Sequence, residues 1–118
     1  MGAPVVHFEV SARDYGKTKE SYTSPFGWTV DADNPISYSF TVAKVDGEGI
    51  AGGIFAGDGW HGIRAFAQVD DAKAYRERAV GLGATVVIGP EEVPGAGIKV
   101  GIFSDPEGNR FGVVQPLG

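Results

Sequence analysis

Two stretches of the chain alternate apolar and polar side chains with the period of a strand, Pro4 to Ser11 and His61 to Asp70. Each runs into an aspartate and then a helix-forming segment, Tyr15 to Ser24 after Asp14 and Ala72 to Leu82 after Asp71. A carboxylate at that position can accept the unpaired N–H groups of a first helical turn, so both aspartates predict helix starts. Gly27 and Gly83 then supply the left-handed stop. The pairs Thr29-Val30 and Thr85-Val86 follow, again alike. Three more strands are predicted in each half, at Trp28 to Asp31, Ile36 to Lys44 and Gly49 to Ala56, then at Thr85 to Ile88, Ile98 to Ser104 and Asn109 to Gln115. Turns at Asp46-Gly47-Glu48-Gly49 and Asp105-Pro106-Glu107-Gly108 precede the closing strands.

The halves are therefore two copies of one unit, which fixes the expected architecture. The fold class is α+β, with two βαβββ modules, about residues 1–57 and 58–118, forming a curved mixed sheet around a cleft. Gly57-Asp58-Gly59 links them. His7 stands seven residues before Asp14, and Arg64 stands seven before Asp71. Function is expected in the cleft that the two modules enclose.

A length of 118 residues and an apolar content of 42% suit a single domain with one modest core. The net charge of -5 lacks the basic field a phosphate backbone needs, which argues against nucleic acid as a partner. With no cysteine, thiol chemistry, disulfides and sulfur-ligated metals are excluded. No apolar run approaches the roughly 18 to 20 residues of a membrane span, and Met1 to Glu9 lacks the layout of a signal peptide. The expectation is a cytoplasmic protein without membrane association.

The run His7-Phe8-Glu9-Val10, the spacing of Asp14 and Tyr22, Phe26-Gly27-Trp28, and above all Phe103-Ser104-Asp105-Pro106-Glu107-Gly108-Asn109-Arg110-Phe111-Gly112 carry a resemblance. They resemble the glyoxalase, bleomycin-resistance and extradiol-dioxygenase superfamily, the vicinal oxygen chelate proteins, nearly end to end. The resemblance implies paired βαβββ modules, homodimers, and in metal-dependent members a divalent ion held by His and Glu from the first and last strands of the modules. Here His7 falls on the first ligand position and Arg64 on its counterpart. With Gly49 aligned to Gly108, the two Glu positions fall on Gly53 and Gly112. Glycine has no side chain and a guanidinium is a permanent cation, so no metal and no cofactor is expected.

If His7 faces the cleft, Val5 and Glu9 join it, while Val6, Phe8 and Val10 pack beneath the helix. By the same rule Arg64, Phe66 and Gln68 face the cleft, with Ile63, Ala65, Ala67 and Val69 under the second helix. Ala51, Gly53 and Phe55 are expected opposite Arg110, Gly112 and Val114, the glycines leaving a wide cavity. His7, Glu9, Phe55, Arg64, Phe66 and Arg110 are the candidate ligand contacts, with His7, Glu9 and Arg64 also the candidates for catalysis. They suit metal-independent binding of a small aromatic or polycyclic molecule, of the resistance or sequestration type. The alternative is a metal-free isomerase or lyase in which Glu9 or His7 is the general base and Arg64 stabilises an oxyanion. A purely structural reading has Arg64 and Glu9 neutralise each other. His61 is expected as a loop or strand-start residue, and Gly95-Ala96-Gly97 as a mobile loop.

Overall fold

The computed structural model describes residues 2–28, 30–31, 39–41, 48–56 and 61–118. Its elements in chain order are β1 (Val5–Ala12), α1 (Tyr15–Phe26), β2 (Val30–Asp31), β3 (Ser39–Thr41), β4 (Ala51–Ala56), β5 (Gly62–Gln68), α2 (Ala72–Gly81), β6 (Thr85–Val93), β7 (Ile98–Ser104) and β8 (Arg110–Pro116). The βαβββ order occurs twice, as the repeat predicts. The chain divides into two compact units, residues 7–63 and residues 64–118 with 1–6. A bond from the Gln68 N–H to the Pro4 carbonyl, 2.8 Å, ties residues 1–6 to the latter.

Both units build their sheets in one way. In the first, β1 pairs in parallel with β4, β4 antiparallel with β3, and β3 antiparallel with β2. In the second, β5 pairs in parallel with β8, β8 antiparallel with β7, and β7 antiparallel with β6. The sheets are mixed because each module returns its last strand beside its first, with a helix on the way. The predicted caps form in both: Asp14 accepts from the Lys17 N–H at 3.1 Å and Asp71 from the Ala74 N–H at 3.1 Å. Gly27, at φ 69°, takes the left-handed conformation that closes α1.

In the first unit Val10, Ala12 and Ile54 are buried, and a partly exposed cluster of aromatic rings joins β1 to α1. Trp28 lies 5.8 Å from Phe8, 6.1 Å from Tyr22 and 5.0 Å from Phe26, ring centre to ring centre. These distances suit favourable ring pairs and place Phe8 on the α1 side, as alternation predicts. In the second unit Ala72, Phe103 and Val113 are fully buried, with Val69, Tyr75, Val86 and Phe111 packed around them. The Gln115 side chain accepts from the Ala72 N–H at 2.9 Å, fastening the start of α2 to β8. The Asp105 turn is held by its own carboxylate, which accepts from the N–H groups of Glu107 and Asn109, both at 2.9 Å.

Two expectations are corrected. Strand β6 continues past Ile88 to Val93, through a cis Gly89-Pro90 bond and register shifts between Val86 and Ile88 and between Ile88 and Glu91. A proline is tolerated there because β6 is an edge strand and has no second ladder to donate to. Ile63 and Ala65 do not lie under α2; Ile63 is 60% exposed and Ala65 is exposed. The helix packs over β6, β7 and β8, and so leaves the beginning of β5 uncovered. Gly95-Ala96-Gly97 is a hydrogen-bonded turn, with the Ala96 N–H on the Val93 carbonyl at 3.1 Å and the Leu117 N–H on the Gly97 carbonyl at 2.9 Å. The Asp46-Gly47 part of the first hairpin and the Gly57-Asp58-Gly59 link lie outside the described residues.

Candidate functional site

Strand register sets the candidate residues in place. In the first unit Glu9 is paired with Gly53, and in the second Phe66 is paired with Gly112. These are equivalent positions of the two modules, so the alignment that puts Gly53 and Gly112 at corresponding places holds in three dimensions.

His7 and Glu9 share one face of β1, two residues apart. The imidazole Nε2 stands 4.0 Å from a Glu9 carboxylate oxygen, with the side chains 23% and 14% exposed. Burial pushes the His7 pKa below its ordinary value, and the Glu9 charge only partly opposes this. At neutral pH the ring is therefore uncharged, and 4.0 Å is too long for a hydrogen bond. A neutral imidazole beside a carboxylate is a pair that can take up a proton.

The lowered His7 pKa has a stability consequence. Because the unfolded ring binds a proton more readily than the folded one, stability is full above about pH 6.5 and declines as pH falls towards the folded pKa. Urea unfolding at about pH 7 and about pH 5 is expected to show a smaller loss in His7→Gln than in the parent. An equal loss in both would show that the ring is not desolvated in the folded state.

In the second unit Arg64 and Phe66 follow each other on one face of β5, only 5% and 2% exposed. Arg110 opens β8, half-buried and paired with Ser104, two residues before Gly112. A Cβ on Gly112 would collide with the Phe66 ring, whose Cζ would be 2.9 Å away. This corrects the expected wide cavity at that glycine, because the space a side chain would occupy there holds the phenyl ring. Phe55 pairs with Ser11, and its side chain lies outside the described residues.

The four positions that the superfamily resemblance assigns to a metal fit one poorly. Position 112 cannot carry a carboxylate while Phe66 keeps its place, and Arg64 brings a buried fixed cation to the counterpart of His7. Among the described residues, no three His, Asp or Glu side chains gather in a group able to hold an ion.

Sequence reasoning missed a second constellation. The Arg13 guanidinium donates to His61 Nδ1 at 2.6 Å, across 48 residues of chain. Both line an open pocket of about 630 Å³ in the first unit with Val10, Asp14, Tyr22 and Ile63. No local periodicity signals such a pair, since neither residue stands on an alternating face.

The paired βαβββ modules and mixed sheets define a glyoxalase-like α+β protein. A family model for the glyoxalase-like domain matches residues 6–114, and the chain belongs to that family. The fold is similar to a variant of Streptomyces coelicolor methylmalonyl-CoA epimerase in complex with 2-nitronate-propionyl-CoA, at 13% identity and TM-score 0.67, covering 98% of this chain and 99% of that one. Mycobacterium tuberculosis methylmalonyl-CoA epimerase is similar at 16% identity and TM-score 0.61, covering 95% and 87%. A glyoxalase/bleomycin resistance protein/dioxygenase superfamily member from Vibrio splendidus 12B01 is similar at 16% identity and TM-score 0.60, covering 98% and 99%. No curated protein matches the chain. Among the described residues no helix is long and apolar enough to cross a membrane.

Proposed function

We propose that this chain binds a small aromatic or polycyclic molecule without a metal ion. The observation that carries the reading is the Phe66 ring seated over Gly112, two residues along β5 from Arg64. Where metal-dependent relatives need a carboxylate and an imidazole, this module has a buried phenyl ring and a guanidinium. The guanidinium fork can hold a carboxylate or enolate oxygen, and a flat molecule would stack on the Phe66 ring by displacing the neighbours that leave it 2% exposed. His7, Glu9, Phe55 and Arg110 complete the proposed contact set.

The test begins with a thermal-shift screen of aromatic antibiotics and aromatic organic acids, since a ligand that binds only the folded chain raises its melting temperature. For the compound found, Arg64→Ala is expected to weaken binding by about 1.5–3 kcal/mol, a tenfold to hundredfold loss. Arg64→Lys should restore only part, keeping the charge but not the planar fork. Unchanged affinity in a well-folded Arg64→Ala protein would assign Arg64 to the architecture and remove it from the site.

The His7 and Glu9 pair supports a second reading, a metal-free isomerase or lyase. Glu9 or neutral His7 would take a proton from a carbon next to a carbonyl while Arg64 holds the resulting enolate oxygen. Similarity to the methylmalonyl-CoA epimerases is consistent with this chemistry. Exchange of that proton with deuterated water, lost in Glu9→Gln, separates a catalyst from a binder.

A further inference from the structure

We propose that the pocket at the start of α1 is a second binding site, which takes a small organic monocarboxylate through Arg13 and His61. Neither residue belongs to the contact set above. Arg13 follows the end of β1 and His61 precedes β5, so a strand anchors each from one side. Their 2.6 Å hydrogen bond specifies the protonation pattern. An imidazole nitrogen that accepts from a guanidinium carries no proton, so Nδ1 is bare and the ring proton sits on Nε2. The pair offers further N–H groups, from a guanidinium that has spent one of its five donors and from His61 Nε2. That set recognises an anionic oxygen pair.

The remaining lining narrows the class. Asp14 shares the pocket, with one carboxylate oxygen committed to the Lys17 N–H at 3.1 Å. Its negative charge disfavours a dianion such as phosphate more than a singly charged carboxylate. Val10, the Tyr22 ring and Ile63 give the pocket apolar wall, and Ile63 is 60% exposed, an aliphatic surface that a ligand's apolar body would cover. A volume of about 630 Å³ has room for a substituted ring.

Sodium benzoate is the probe, titrated into the full chain with isotope-labelled histidine against sodium chloride at equal ionic strength. His7 and His61 are the only histidines, so their ring signals report the two places separately. The expected result is a saturable shift of the His61 signals with His7 unmoved. Arg13→Gln should weaken binding about tenfold or more, the worth of a charge-assisted hydrogen bond. Ile63→Trp, which fills the pocket from an exposed position and leaves Arg13 in place, should abolish saturation and decides the matter if Arg13→Gln does not fold. A non-saturating His61 response, full affinity in a folded Arg13→Gln or in Ile63→Trp, or a tighter response to inorganic phosphate would overturn the proposal. A shift at His7 alone would also overturn it, while leaving the binding role of the His7 and Arg64 set standing.

Discussion

Phe103→Ala is expected to destabilise the protein by about 3–5 kcal/mol, a large share of the stability of a domain this size. The ring is fully buried and lies 5.8 Å from Tyr75 and 5.6 Å from Phe111 by ring centres. Truncation removes its transfer free energy and leaves a cavity that two aromatic neighbours cannot close without losing their own geometry. Urea unfolding should show a lower midpoint at an unchanged slope. Leu82→Ala is the control, because Leu82 is 81% exposed and its loss should stay within about 0.5 kcal/mol. A Phe103→Ala loss below about 1 kcal/mol would mean that the Ala72, Phe103 and Val113 cluster is not the core of the second unit.

Gly112→Ala is expected to cost about 1–3 kcal/mol by overpacking, since its new methyl group meets the Phe66 ring. Phe66→Ala alone should cost about 3–5 kcal/mol through the cavity it leaves. The double variant should lose clearly less than the sum, because the added methyl then enters the emptied space. The departure from additivity in this cycle measures the contact directly. Additive losses, within about 0.5 kcal/mol, would show that the ring does not lie over the glycine. They would also reopen position 112 to a side chain, and with it the argument against a metal ligand there.

Local chemistry that repeats was legible in the sequence. Asp14 and Asp71 mark helix starts because their carboxylates bond to N–H groups three residues on, and Gly27 ends α1 because its φ of 69° suits a residue without Cβ. Tertiary context decided the rest. Alternation sorts Ile63 and Ala65 onto one face of β5, but whether a helix covers that face depends on where α2 lands. Gly89-Pro90 reads as a strand end because both residues disfavour a ladder interior, yet an edge strand accommodates them. Among the candidate site residues, the correspondence of Gly53 with Gly112 followed from the repeat, while the pairings of Glu9 with Gly53 and Phe66 with Gly112 come from the strand register. The ring filling the space at Gly112 did not, because a glycine's vacancy says nothing about which neighbour moves into it.

Strand β6 also bears on how copies of the chain avoid one another. It ends its sheet's order and so presents an open row of backbone groups to solution, the kind of template on which chains stack into fibrils. Its irregular register interrupts the spacing of that row, Pro90 removes a donor from it, and exposed Glu91 and Glu92 set like charges against each other in any symmetric approach. The features that hid the second half of this strand from a reading of periodicity are the same ones that make it a poor seed for aggregation.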